Sequence, residues 1–254
     1  MRKSFLLSQF FLMDLIYRKI FFVALGLGTS FVILSLLLGP LSYSEEARLA
    51  INFSLAGSQI ALIFLSVLVG ADFLKLDIES QAIHSFLARP LSRFEFFIAK
   101  FFAFAFCLLL LSLFMWLGFF TVASITGLES SFMSILPFFG VYIESLILFS
   151  FAMMTSLFAS SLMTIGASFT LFLVGHFVEM LRQLEKSDEV MAKLFGGFIT
   201  KVIPNLESLN WKAHLTYNEW ASPMSYFKFS CYGLSWVFLL VALGYLIFSR
   251  KDFA

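Results

Sequence analysis

The sequence predicts an all-α membrane protein with six transmembrane helices. Its 254 residues are 60% hydrophobic and 13% charged, whereas soluble domains carry about 25% charged residues. Six apolar runs are each long enough to cross about 30 Å of hydrocarbon at 1.5 Å per residue. Basic residues lie between alternate runs, as expected of a multi-pass chain. The predicted transmembrane helices cover residues 20–41, 51–74, 97–126, 134–160, 162–181 and 226–248.

Residues 1–19 precede the first apolar run and are predicted to form an amphipathic helix on the membrane surface. Lys3 and Ser8 fall on one helical face, and Asp14 and Arg18 form an i,i+4 pair on the same face. The alternative is a cytoplasmic extension of the first membrane helix. Residues 20–254 then form the transmembrane domain.

The distribution of Lys and Arg predicts the orientation of the helices. Basic residues precede helix one, surround the loop between helices two and three, and follow helix six. Arg48 is the one basic residue in the first and third loops taken together. Both termini and the second loop are therefore predicted to be cytoplasmic. The net charge of +1 and the lack of a basic tail give no indication of a nucleic-acid partner.

Residues 76–96 form a polar segment between two apolar runs, which we call the elbow. Pro90 ends a short amphipathic helix, because the preceding Arg89 is pushed out of the α region. Ser92 and Glu95 have the S-x-x-E spacing of a capping box, so a new helix is predicted to start there. The elbow is basic at its corner and small enough to dock into a groove on another protein.

The elbow reads L-A-R-P-L-S-R over residues 87–93, with Glu79 before it and Lys100 after it. This order resembles the loop between the second and third membrane helices of type-2 ABC exporter permeases. In that family the glutamate is commonly followed by a Gly-Thr pair, in the pattern E-x-x-x-G-T. This chain departs from the pattern, because Ile83 and His84 follow Glu79 at those positions. The sequence P-N-L-E-S-L-N over residues 204–210 and the C-terminal F-S-R-K-D-F are also similar to that family.

The resemblance implies a permease subunit in the bacterial inner (plasma) membrane. It would pair with a second permease subunit, as a homodimer or a heterodimer, and with two copies of an ATPase subunit. ATP and Mg²⁺ would bind to the ATPase subunit, and this chain would bind no cofactor. The residues implied to couple to the ATPase are Glu79, Phe86, Leu87, Arg89, Pro90, Ser92 and Arg93, and those of an outer cap are Pro204, Asn205 and Asn210.

The chain contains no Walker A motif, so it is not expected to hydrolyse ATP or to be an enzyme. Charge reversal at Arg89 or Arg93 is expected to abolish coupling to the ATPase while leaving the protein folded. Two other functions fit the composition: a membrane scaffold or assembly protein without a transport role, and an intramembrane metal or haem protein that uses His176.

Residues 182–223 are predicted to lie on the outer side as one or two helices at, or dipping into, the outer leaflet. Apolar residues from 190 to 202 fall on one face of a predicted helix, and Pro204 ends this helix. The aromatic residues that suit a membrane interface are Trp211, Tyr217 and Trp220.

Asp72 and Glu144 are acidic residues within apolar runs, where a charge costs about 2.5–3.5 kcal/mol on insertion scales. Asp72 is near the cytoplasmic end and is expected to be solvated or paired with Lys75. Glu144 is deeper, and is expected either to lock two helices together or to line a substrate path. His176 and Glu179 fall on one face of helix five. They are expected to form a satisfied polar pair, and no metal site is predicted, because no second pair faces them.

Ala152, Ser156 and Ser160 form a small-xxx-small stripe on helix four. Ser156, like Asp72 and Glu144, is a candidate to line a pathway or to pack helices together. Small residues let helix backbones approach closely in lipid, so the stripe is expected to pack against helix five or helix one. The boundary near Ser160 and Ser161 leaves two alternatives. Helices four and five either turn almost at once there or share one long kinked run.

Overall fold

The computed structural model describes residues 2–17, 19–38, 46–79, 92–126, 132–184, 197, 199–217 and 220–251, and these ranges contain no β-strand. The chain is an all-α membrane protein, as the sequence predicts. Two 3₁₀ turns, Phe132–Ser134 and Glu207–Leu209, accompany the helices. The helices are α1 (Arg2–Tyr17), α2 (Lys19–Leu38), α3 (Glu46–Asp72), α4 (Lys75–Glu79), α5 (Arg93–Thr126), α6 (Ile135–Thr155), α7 (Ser161–Leu184), α8 (Lys212–Thr216) and α9 (Pro223–Ser249).

Five helical stretches are long and apolar enough to cross a membrane, and they coincide with the second to sixth predicted spans. α2 occupies the place of the first predicted span, but it qualifies only as a shorter apolar helix over Lys19–Leu34. The count of six spans therefore stays a prediction. The five stretches are Ile51–Asp77, Arg93–Ser124, Phe132–Thr155, Ser161–Arg182 and Pro223–Ser249.

The centre of the bundle is the contact between α3 and α6. α3 also packs on α2, and α6 also packs on α9 and α5. A Cβ atom added to Gly70 of α3 would lie 2.7 Å from the Cβ of Ala152 on α6, so these helices approach closely. The expectation that the small-residue stripe packs against helix five or helix one is therefore wrong for Ala152. Its partner is the second predicted span, where Gly70 leaves the space.

α1 packs mainly against α5 rather than against α2. Phe11 and Leu15 are buried, and the Phe11 ring meets the Phe96 ring edge-on with 5.6 Å between centroids. This apolar face anchors α1 to the first turns of α5. Its position on a membrane surface stays a prediction.

The connection between α6 and α7 consists of residues 156–160. Of the two alternatives left open by the sequence, the structure has the short turn, and α6 ends at Thr155, before the predicted end of the fourth span at residue 160. Ser156, a predicted pathway or packing residue, is buried in this turn. Its hydroxyl donates to the Met153 carbonyl oxygen at 2.9 Å, so it stabilises the end of its own helix.

The described part of the bundle has two distinct ends. The basic end is defined by Lys75, Arg93, Lys100 and Lys251. The opposite end is covered by the cap segment, residues 204–217, which packs on α3, α6, α7 and α9. The Leu206 backbone N–H donates to the Gly175 carbonyl oxygen at 3.0 Å, which fixes the cap segment to α7.

Candidate functional site

Glu144 is the centre of a buried polar cluster beneath the cap segment. Its side chain is 1% exposed, within an α6 that is otherwise almost entirely apolar. The Gln59 side-chain amide donates to both carboxylate oxygens, at 2.9 and 3.2 Å. Gln59 is itself buried on α3. The pair therefore links α3 to α6 by hydrogen bonds that have no competition from bulk water.

His176 brings α7 into the same cluster. Its Nε2 atom lies 3.5 Å from Glu144 Oε1, and its Nδ1 atom lies 3.0 Å from the Phe172 carbonyl oxygen. A carbonyl oxygen only accepts, so Nδ1 carries a hydrogen in this arrangement. Nε2 is then the ring nitrogen that faces the Glu144 carboxylate. The contact therefore adds α7 to the link between α3 and α6.

The cap segment contributes Lys212 and Glu207. The Lys212 ammonium donates to the Gln59 side-chain oxygen, and Glu207 Oε2 lies 4.0 Å from His176 Nε2. Burial lowers the pKa of Lys212 from its ordinary value of 10.5, while the negative charges of Glu144 and Glu207 act in the opposite direction. The polar cluster thus consists of Gln59, Glu144, His176, Glu207 and Lys212.

The polar cluster joins three long helices to the cap segment through their side chains. Removing Gln59 or Glu144 leaves the other member of this buried pair without its hydrogen-bond partner, which is costly in a water-poor interior. Of the two roles expected for Glu144, the contacts favour the lock between helices.

The cluster does not resemble a metal centre. Within the described ranges, no group of three or more His, Cys, Asp or Glu side chains is placed to hold a metal ion. His176 faces the Phe172 carbonyl through one ring nitrogen and Glu144 through the other. Neither nitrogen is left facing an open position for a metal or haem iron.

The predicted pairing of His176 with Glu179 is wrong. Glu179 accepts from the Arg182 guanidinium at 3.0 Å and from the Asn205 side-chain amide at 3.3 Å. Both residues do lie on α7, but His176 turns toward α6 while Glu179 turns toward the cap segment. The true partner of His176 lies 32 residues away in sequence, beyond the reach of a local spacing argument.

The predicted outer-cap residues all lie in the cap segment. Pro204 is buried, and the Asn205 backbone N–H donates to the Tyr232 hydroxyl of α9 at 2.9 Å. The Asn210 side-chain amide donates to Glu207 Oε1 at 3.0 Å. These residues therefore build the cap segment and orient a member of the polar cluster.

Asp72 lies at the basic end, where it accepts from the Ser161 hydroxyl at 2.5 Å. The Lys75 ammonium donates to the same hydroxyl oxygen at 3.2 Å. Asp72 and Lys75 thus both bind the hydroxyl of Ser161, the first residue of α7. Asp72 therefore connects the end of α3 to the start of α7.

The elbow is described only in part. Phe86, Leu87, Arg89 and Pro90 lie outside the described residues, and of Glu79 only the helical backbone is described. The capping box is confirmed. The Ser92 backbone N–H donates to Glu95 Oε2 at 3.0 Å, and the Glu95 N–H donates to Ser92 Oγ at 3.1 Å.

Arg93 has partners within the chain. Its guanidinium donates to the carbonyl oxygens of Ser249, at 2.9 Å, and Lys251, at 3.1 Å. These carbonyls are at the C-terminal end of α9, where a positive charge is favourable. The start of α5 is therefore fixed to the end of α9.

Lys100 is 2% exposed and also has partners inside the bundle. Its ammonium donates to the Phe73 carbonyl oxygen at 2.6 Å and pairs with Asp77. It also lies 4.4 Å from the centroid of the Phe73 ring, a cation–π geometry. Lys100, which resembles the lysine of the family motif, thus connects α5 to the end of α3 and to α4.

Gln59 and Lys212 are members of the polar cluster that the sequence reasoning missed. Gln59 is an uncharged polar residue in the middle of an apolar span, and Lys212 directly follows the buried Trp211. Both residues are unusually polar for their surroundings, and this contrast could have marked them as members of a buried cluster.

No known family model matches this chain, and no curated protein matches it.

Proposed function

We propose that this chain is the membrane-spanning permease subunit of an ATP-driven ABC exporter in a bacterial inner membrane. It would move a substrate together with a second permease subunit and two copies of a separate ATPase subunit. The termini and the elbow would lie on the cytoplasmic side with the ATPase. The order of motif residues from Glu79 to Arg93 supports this proposal.

The observation that carries the proposal is the attachment of the elbow to the bundle. The capping box of Ser92 and Glu95 fixes the first turn of α5, where the motif ends. Arg93 then joins this turn to the end of α9. A force applied to the elbow by a partner would reach both helices together, as a rigid-body movement requires.

α5 has 34 residues, which corresponds to about 50 Å of helix. Such a helix reaches from the basic end to the opposite end of the bundle. There the polar cluster holds α3, α6 and α7 to the cap segment. In the proposed mechanism, a tilt driven from the elbow opens a path only when this attachment of the cap segment yields.

A pull-down of the tagged full chain from its native membrane, in mild detergent, tests the proposal. A stoichiometric subunit with a Walker A motif is expected by mass spectrometry, together with ATPase activity in the purified complex. Arg89→Glu should lower that activity at least tenfold. Arg89 is preferred to Arg93, because Arg93 donates hydrogen bonds to the end of α9 and its replacement would also weaken the bundle.

Arg250→Glu is the matched control, because Arg250 is exposed at the same end and lies outside the elbow. It should retain the ATPase partner and near wild-type activity. Preparations in several detergents that contain no Walker A protein would contradict the proposal and favour the scaffold function. Full activity of the Arg89→Glu complex would contradict the role of the elbow alone.

A further inference from the structure

A cavity of about 620 Å³ opens beside the cap segment, between α7 and α9. Its wall includes charged residues of both signs: Glu179 and Arg182 from α7, Glu207 from the cap segment and Lys228 from α9. Formal charges of −1, +1, −1 and +1 sum to zero. A wall of this kind complements a group that carries both a positive and a negative charge.

Lys228 is the most informative of these residues. It lies in the second turn of the apolar helix α9 and is exposed. Within the described part of the chain it has no hydrogen-bond or ion-pair partner. Arg182, in contrast, is paired with Glu179. A lysine that lines a cavity near the end of a membrane helix suits a phosphate group at that depth.

Glu207 supplies the opposite charge. Its side chain is 45% exposed, and one carboxylate oxygen accepts from Asn210. The carboxylate thus keeps access to the cavity while its orientation is fixed. It can accept hydrogen bonds from a primary ammonium group.

The cavity continues onto an apolar surface. Phe229 and Tyr232 line it, and Leu239 and Leu243 follow Tyr232 by seven and eleven residues on α9. These intervals place them on one helical face. Leu239 and Leu243 are 46% and 42% exposed, so this face offers acyl chains a path toward the middle of the membrane span.

We propose that this cavity binds the headgroup of a zwitterionic phospholipid with a primary amine, the phosphatidylethanolamine class. Lys228 contacts the phosphate, Glu207 contacts the ammonium group, and the acyl chains follow α9 past Tyr232. An anionic phospholipid such as phosphatidylglycerol would place an uncharged glycerol group opposite Glu207, so the carboxylate would have no ammonium partner. The proposal does not depend on the exporter function.

Native mass spectrometry of the full-length chain, delipidated in detergent, tests the site. The protein is mixed with equal amounts of phosphatidylethanolamine, phosphatidylcholine and phosphatidylglycerol. One phosphatidylethanolamine per chain should be retained in preference to the other two lipids. Lys228→Gln should weaken this retention on the order of tenfold, as expected for loss of a charge-assisted hydrogen bond.

Lys228→Arg should restore retention, because it keeps the charge and the hydrogen-bond donors. Lys201→Gln is the control: Lys201 is exposed and precedes the cap segment, but it does not line the cavity. Thermal unfolding of each variant shows whether it is folded. Retention of phosphatidylglycerol equal to that of phosphatidylethanolamine would overturn the proposal. So would no retention by the wild type, or equal retention by the Lys228→Gln and Lys201→Gln variants.

Discussion

Arg93, the first residue of α5, donates a hydrogen bond to the carbonyl oxygen of Ser249, the last residue of α9. The two residues are 156 positions apart, yet their contact joins two membrane spans at the basic end. A positive charge at the C-terminal end of a helix also interacts favourably with the helix dipole. The contact therefore makes Arg93 a stabilising residue, whatever else binds at the elbow.

Arg93→Gln should accordingly lower the free energy of unfolding by about 1–2 kcal/mol, because it removes charged hydrogen bonds to α9. Thermal unfolding in detergent would measure the loss. Arg250→Gln removes a charge from the exposed residue that caps the end of α9 but keeps the hydrogen bonds of Arg93, so it should lose only the weaker interaction with the helix dipole. Equal midpoints for both variants would show that the contact with α9 contributes nothing.

Glu144→Leu should destabilise the protein by about 3 kcal/mol, because it leaves the Gln59 amide without its buried acceptor and removes a negative charge that acts on the Lys212 ammonium. Gln59→Leu should also be destabilising. The double variant should be more stable than the sum of the two effects predicts, by 0.5–3 kcal/mol, since the two residues share one interaction. A double-mutant cycle by unfolding in mixed micelles would measure this. Strict additivity would contradict the direct coupling.

Lys212 gives the polar cluster a pH dependence. Burial lowers its pKa in the folded protein below the ordinary 10.5, so the unfolded chain binds more protons between the two values. Stability therefore rises with pH across that window. The unfolding midpoint of the wild type, taken relative to Lys212→Met, should increase as the pH is raised from 7 toward 10. A constant or decreasing difference would show that Lys212 does not have a lowered pKa.

Gly140 permits the cap segment to reach α6. A Cβ atom at this position would lie 2.4 Å from the Leu209 carbonyl oxygen. Gly140→Ala should therefore cost about 1–3 kcal/mol through displaced backbone. Gly166→Ala is the control, because its Cβ would meet nothing within 4 Å; it should be neutral or stabilising by up to about 1 kcal/mol. Limited proteolysis of the cap segment would report its release in Gly140→Ala only.

The local features of the fold were accessible from sequence. Apolar runs of sufficient length identified five of the spans, and the three-residue spacing from Ser92 to Glu95 identified a real capping box. These predictions succeed because hydrophobic length and capping depend on neighbouring residues only.

Partners across the bundle were not accessible in the same way. The spacing of His176 and Glu179 suggested a pair, but the packing of α7 against α6 turned His176 toward Glu144. The small stripe at Ala152 was correctly read as a place of close approach, and its partner was wrong. Gly70 supplies that partner, and nothing in the sequence near Ala152 points to it. Which helices are neighbours is decided by the whole bundle.

The order of synthesis gives the polar cluster a further significance. A ribosome makes the chain from the N-terminus, so Gln59 exists before Glu144, whereas His176 and Lys212 follow it. α3 therefore precedes α6 in the chain, whereas α7 and the cap segment follow it. Gln59 is thus the described partner of Glu144 that lies on an earlier helix, and it can pair with the acidic side chain as α6 enters the bilayer.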